Sequence, residues 1–390
     1  MTQTKKAGGR PEWVEPLLFT LLFLAFFSLF ARPMGLINML STMMNTAHDL
    51  LMNTVFYLMA ICVLTGALSG LLSEFGVVRV VNRLLSPLLM PLYDLPGAAS
   101  LGIVTTFLSD NPAILTLAND RGFRRYFKKY QLPALTNLGT SFGMGLIVCT
   151  YMISLQNIPG GAPVKAVLIG VLGAVIGSIV STRLMLRFTV RLYGKTEPAD
   201  PPEDGEEGNS DLIGRREGST FSRFMDAMLE GGKSGVEMGL AIIPGVLIIC
   251  TLVMMLTNGP SESGLYTGAA YEGICLLPRL AEKIQFLLSP LFGFSSPEAV
   301  AVPVTALGAA GAAMGLVGKL AAQGLAGGND IAVFTAMCMC WSGYLSTHIS
   351  MMSSLKCSHL VGKAILCHTI GGLCAGVSAH WVFTLLSSIL

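Results

Sequence analysis

Residues 107–116 read FLSDNPAILT, an acid, an amide and a proline (Asp110-Asn111-Pro112) inside an otherwise apolar run. A carboxylate beside a carboxamide offers oxygen acceptors and an N–H donor, which can hold a cation, a proton or a polar solute. Within a membrane a carboxylate is costly unless paired, and it marks a functional site by default. Pro112 cannot continue a helical hydrogen-bond ladder, so it makes a turn. Asn-Pro is also a common turn dipeptide in water. Length argues against a plain loop here: the apolar flanks 97–108 and 113–118 suffice for half-helices at ~1.5 Å per residue, not for two crossings. Asp110 and Asn111 are therefore expected at the tip of a re-entrant hairpin.

Two further clusters carry oxygen ligands. Thr136, Asn137, Thr140 and Ser141 recur at helical spacing, with Gly139, Gly143 and Gly145 between them. Later in the chain stand Ser342, Ser346, Thr347 and His348. Such side chains in a membrane helix often bond back to helix carbonyls, and the weight here lies in two clusters occupying related positions. Oxygen ligands without a cage of charge suit Na⁺, while a lone Asp110 can equally carry a proton.

Other chemistry is poorly supported. His348, His359, His368 and His380 do not share one helical face and read as core hydrogen-bonding or cytoplasmic-end residues. Cys338 and Cys340 point to different sides of a helix and read as small core residues. EGGKSG at 230–235 contains GKS, but a phosphate loop needs glycine where Ala227 stands. Lys233 reads instead as a topology anchor. No enzyme chemistry is expected, nor any cofactor beyond Na⁺ as a coupling ion.

The elements that must position these residues are apolar helices. The 390-residue chain is 52% hydrophobic and 12% charged, with a mean hydropathy of +0.65. Ordinary soluble domains carry about twice that charge fraction. A net charge of +2 gives no reason to expect a nucleic-acid partner. Spans are predicted near 14–32, 51–73, 132–156, 164–187, 236–257, 330–350 and 364–389. No cleavage site follows Lys5, Lys6 and Arg10, so the first span is expected to be retained. Segments 97–118 and 297–318 are interrupted by Gly, Ala and Pro and look broken. Gly308, Gly311 and Gly315 make the second the better candidate for a moving gate; tight helix packing is the other reading. Each follows an amphipathic stretch, 75–93 or 274–292, of the kind that lies along the interface.

These elements repeat. LLSPL at 84–88 returns at 287–291, and NLGTSFGMGLI (137–147) has a looser echo in CWSGYLSTHIS (340–350). The repeated order of elements is the stronger signal. The chain divides into an N-terminal scaffold span (1–50), a first repeat (51–192), an acidic linker (193–230) and a second repeat (231–390). The core of that linker, from 195 to 218, is too polar to fold alone. RGFRRYFKKY (121–130), the N-terminus and the linker flanks are basic and expected in the cytoplasm, and the 258–273 loop, which lacks Lys and Arg, outside. The two repeats are then inverted relative to each other. The fold class is an all-α polytopic membrane protein of two inverted-topology repeats, each an interfacial helix, a re-entrant hairpin and two spans. That is the usual build of secondary transporters.

The element order resembles the transport core of concentrative nucleoside transporters. The texture of two such units is similar to the nucleoside-recognition or "gate" domain superfamily, which includes the membrane part of ferrous iron transporter B and sporulation maturation membrane proteins A and B. In nucleoside transporters the first hairpin tip carries an acid-containing motif followed by Ala-Pro. LSDNPAIL looks like its counterpart, which implies Ser109, Asp110 and Asn111 on substrate or sodium. The family's sodium site implies the region Asn137–Ser141, including Thr140. FTAMCMCWSGYLS is similar to the family's second-half span and puts Ser342 near the position of its asparagine; the asparagine–glutamate motif after the second hairpin has no clear match.

The expected function is an ion-coupled (Na⁺ or H⁺) secondary transporter of a small polar solute, of the nucleoside or nucleobase type. The alternatives are a divalent metal cation permease or a non-transporting membrane factor in the envelope or in sporulation. Expected partners are a small-molecule solute and the lipid bilayer, with a homotrimer implied by the resemblance. The expected location is the bacterial inner membrane, multi-pass, with the N-terminus in the cytoplasm.

Overall fold

A computed structural model describes residues 13–111, 113–119, 121–156, 158, 163–199, 218–261 and 263–389. Pro112, the basic residues of 1–12 and the linker core 200–217 lie outside the described residues. The described chain is helical, and its β-structure amounts to an isolated bridge between Lys128 and Pro198. Among the described residues six helices are long and apolar enough to cross a membrane, and the protein is an all-α polytopic membrane protein.

Helix α1 (Val14–Met34) is peripheral, with 6% of its most apolar window buried against 94% for Leu132–Ser154. Helix α2 runs unbroken over Leu36–Glu74, with a π-helical turn at Leu50–Val55. The boundary expected at residue 50 thus falls inside a continuous helix. Amphipathic α3 (Val77–Tyr93) follows. A hairpin of α4 (Ala99–Leu108) and α5 (Ala113–Asn119) comes next. Their 10 and 7 residues cover about 15 and 10 Å, well short of a ~30 Å hydrocarbon core. The expected 132–156 span is two helices, α6 (Leu132–Thr140) and α7 (Gly145–Ser154). The first half closes with α8 (Pro163–Tyr193).

The second half repeats this order. Helix α9 spans Thr220–Thr257, with a π-helical turn at Gly245–Cys250. It begins ten residues before the expected end of the linker, because Ser219 caps it: its hydroxyl accepts from the Ser222 amide. The amphipathic stretch is bent at Ile284 into α10 (Leu276–Lys283) and α11 (Gln285–Phe292). The second hairpin is α12 (Pro297–Ala306), meeting α11 at 76°, and α13 (Ala310–Ala322). The predicted 330–350 span is divided into α14 (Gly328–Cys340) and α15 (Tyr344–Ser354), and α16 (Val361–Ile389) ends the fold.

Corresponding helices of the two halves pack on each other through bare backbone. A Cβ on Gly66 would lie 2.4 Å from the Gly231 carbonyl, one on Gly70 2.3 Å from Ala227 O, and one on Gly235 2.2 Å from Cys62 O. Residue numbers rise on α2 as they fall on α9, so the pair is antiparallel. The same holds for α8 and α16, where Gly173 meets Ala375 O and Gly177 meets Gly371 O. Small residues let helices approach to backbone contact, the usual means of association in lipid. EGGKSG is therefore a helix-packing face: Gly231 and Gly235 press on α2 while Lys233 is exposed. A buried ion pair, Arg223 Nη2 to Glu74 Oε1 at 2.6 Å, closes one end of this seam.

Candidate functional site

Both spans that follow a hairpin break at the level of the hairpin tips. Between α6 and α7 the chain passes through Met144 at φ 54°, a left-handed conformation uncommon for a side-chain-bearing residue. Between α14 and α15 the same turn is made by Gly343 at φ 63°. Strained backbone of this kind collects at binding sites, where the surrounding structure fixes it.

The hairpins and breaks surround one cavity of about 510 Å³. Asp110 and Asn111 line it from the first hairpin tip, and Gly308, Ala309, Ala310 and Gly311 line it from the second. Met144, Ser342, Gly343 and Thr347 come from the breaks, and Ser234, Glu237, Met238 and Gly245 from α9. Hydrogen bonds cross between halves at this point: Asn111 Nδ2 donates to Ser342 O at 2.6 Å. Within the second half, the Gly343 amide donates to Ala306 O at 3.3 Å, joining hairpin to break. The Asn111 amide also donates to Asp110 Oδ1 at 2.7 Å, which orients that carboxylate at the tip. Gly143 must be glycine, since a Cβ there would stand 1.7 Å from Asn111 Oδ1.

Of the predicted site residues, Asp110, Asn111 and Ser342 are brought together around the cavity. Ser109 is half-buried at the end of α4 and is not among the lining residues. Asn137 is buried behind it, donating to Ser181 Oγ and to Ala364 O, each at 3.0 Å. There it ties α6 to α8 and α16. Thr140 and Ser141 are buried and bond back to the carbonyls of Thr136 and Asn137. Ser346 sits on α15, and its side chain lies outside the described set.

His368 is buried between Cys340 O at 2.5 Å and Ser181 Oγ at 3.0 Å, so it holds the α14 break onto α8. His348 bonds Tyr344 O at 3.0 Å.

Sequence reading passed over Glu237. It stands inside the predicted span 236–257 and is the lining acid contributed by the second half. An acid within an apolar span was the available signal.

No family model and no curated protein matches the chain. Among solved structures it is similar to CNTnw, a concentrative nucleoside transporter. A doubly substituted CNTnw in an outward-facing state superposes with TM-score 0.53 at 17% identity, over 86% of this chain and 76% of that one. CNTnw in an inward-facing substrate-bound state gives 0.50 at 16% identity, over 83% and 73%. The likeness is one of fold.

Proposed function

We propose that the protein moves a small polar solute of the nucleoside or nucleobase class across the membrane by alternating access, coupled to Na⁺ or H⁺. The observation that carries this reading is the meeting of two hairpin tips and two helix breaks around one cavity, with an acid at one tip. Irregular backbone at membrane depth is tolerated only where protein or a water-filled cavity covers it, and this arrangement supplies both. Asp110 holds the coupling ion or the solute. The hairpins move as gates against α8 and α16, whose backbone-to-backbone packing makes them a scaffold. Antiparallel pairing of corresponding helices supports inverted repeats, with the basic loop 121–130 in the cytoplasm. That loop contacts the start of the linker, Lys129 pairing with Glu197 at 2.7 Å, as expected if both lie on one side. A bacterial inner-membrane location and a homotrimer complete the proposal.

The test is uptake of radiolabelled nucleosides and nucleobases into proteoliposomes under an imposed Na⁺ or H⁺ gradient. Gradient-driven accumulation by wild type, abolished in Asp110→Asn, is expected. Accumulation undiminished in that variant removes Asp110 from the coupling role. Absence of uptake for every solute under either gradient would overturn the transport reading.

A further inference from the structure

The cavity is lined, among the described residues, by Asp110 and Glu237, one acid from each half, and by no Lys, Arg or His. Among the described residues Glu237 has no ion-pair partner, and Asp110 accepts only the Asn111 amide. Asn111, also in the lining, is 2% exposed, and its Oδ1 has no hydrogen-bond partner and is directed at Gly143, outside the lining. That oxygen occupies the space a side chain at Gly143 would fill. Two lining side-chain donors are committed, Asn111 Nδ2 to Ser342 O and the Thr347 hydroxyl to Gly343 O, and the Ser234 and Ser342 hydroxyls line the cavity beside them. The cavity therefore carries carboxylate charge with no basic side chain among its described lining residues to match it.

Helix N-termini supply some positive charge. Those of α13 and α15 reach the cavity through Ala310, Gly311, Gly343 and Thr347. Each is worth roughly +0.5 of an elementary charge, so the two together offset about one of the two carboxylates. A negative excess remains on the cavity, which the exposed Glu237 leaves open to water, so the excess acts on an arriving ligand and is not a buried unpaired charge.

We infer that the ligand of this cavity carries a positive charge and several N–H donors, as a protonated amine or amidine does, held between Asp110 and Glu237. The inference rests on the transport reading, because it places the solute in the same cavity. It keeps the cavity and the gating of that reading but replaces its neutral solute by a cation that donates hydrogen bonds, and it makes each half contribute one charge to recognition. A ligand bridging the halves also joins the first hairpin tip to α9, so that its arrival favours the closed arrangement of the gates.

The test uses the full chain in lipid nanodiscs and reads binding by calorimetry and thermal shift. The probes are agmatine and putrescine as cations, uridine as a neutral nucleoside, uridine monophosphate as an anion, and NaCl or MgCl₂ alone. Asp226→Asn, an exposed position on α9 outside the cavity, serves as the charge control. The expected result is saturable binding of an amine probe, weakened at least tenfold by Glu237→Gln and by Asp110→Asn and unchanged by Asp226→Asn. Binding of uridine alone, insensitive to Glu237→Gln, would overturn this inference while leaving the transport site standing. A Glu237-dependent response to Na⁺ or Mg²⁺ alone, with none to the amines, would assign the charge to an inorganic ion and likewise overturn it. No binding of any probe would overturn both readings.

Discussion

Lys319 Nζ lies 3.0 Å from Asp49 Oδ2, which ties the second hairpin to α2 immediately before its π-helical turn. The Tyr271 hydroxyl donates to the same carboxylate, and Lys319 stands 4.3 Å over the Tyr271 ring. Asn53 Nδ2 donates to Asp49 Oδ1 at 2.7 Å. A π turn inside an α-helix often marks a functional site. Here the two π turns of α2 and α9 lie against each other with α13 packed on both. The ion pair fastens the gate at that spot. Each side chain is 31% exposed, so its strength lies between a surface pair and a buried one, about 1 kcal/mol. Lys319→Met and Asp49→Asn, combined in a double-mutant cycle of thermal denaturation, are expected to couple by that amount. Hydrogen exchange in α13 should rise in both single variants while exchange in α16 stays unchanged; equal rates in α13 would show that the pair does not restrain the hairpin.

The hairpin tip offers a sharper test. Asn111→Ala removes the side-chain link to Ser342 O while keeping the backbone N–H that Asp110 accepts. Losing one partner of a buried hydrogen bond costs about 1–3 kcal/mol. Solute affinity is expected to fall tenfold or more with a modest drop in Tm. Gly143→Ala should give the same phenotype by a different route, because its methyl displaces Asn111 Oδ1. Affinity equal to wild type in both would separate Asn111 from the binding site.

The glycine seam predicts a stability effect away from the cavity. Gly66→Leu and Gly231→Leu force backbone apart where a Cβ already stands 2.4 or 2.3 Å from a carbonyl oxygen. Overpacking of this kind costs about 1–3 kcal/mol or more, and Tm and expression should both fall. Gly362→Ala, where nothing lies within 4 Å of the added methyl, is the matched control and should be neutral.

Acid should loosen the loop that covers α2. Glu272 accepts from the Thr267 amide at 3.0 Å, the Thr267 hydroxyl at 2.7 Å and the Gly268 amide at 2.9 Å. Burial alone would raise its pKa, but these hydrogen bonds outweigh burial and hold it below the ordinary 4.5. A folded-state pKa below the unfolded one stabilises fully above the unfolded value and is lost as pH falls through the folded value. Stability should therefore be flat above pH 4.5 and decline below it, and Glu272→Gln should flatten that limb of a Tm-against-pH curve.

Much of this architecture is legible because proline and glycine interrupt apolar runs. Both hairpins fall close to 97–118 and 297–318, since no uninterrupted helix can be drawn through either. The first turns of α2 were harder. Asn38, Ser41, Thr42, Asn45, Thr46 and Asp49 dilute the hydropathy of 36–49, and their partners come from far along the chain. Asn38 donates to Tyr266 O at 3.0 Å, Asn45 to Gly268 O at 2.8 Å, and Thr46 Oγ1 accepts from the Tyr271 amide at 2.8 Å. No window of sequence contains both sides of such a contact. The polar cluster at 136–141 is legible only in part for a related reason: spacing places Asn137 on an inward face without telling a ligand from Ser181. Glu237 falls at the start of the apolar run 236–257, where a single acid does not interrupt the pattern of a span.

The seam between α2 and α9 also sets a clock on biogenesis. Gly66 and its partner Gly231 are 165 positions apart in the chain. At ~5–20 residues per second of synthesis, roughly 10–30 s separate the emergence of one surface from that of the other. During that interval α2 presents a bare glycine groove to lipid, with its backbone unmatched by any protein surface. The nascent first half is thus a waiting state, open to chaperones and to other helices, until α9 arrives to occupy the groove.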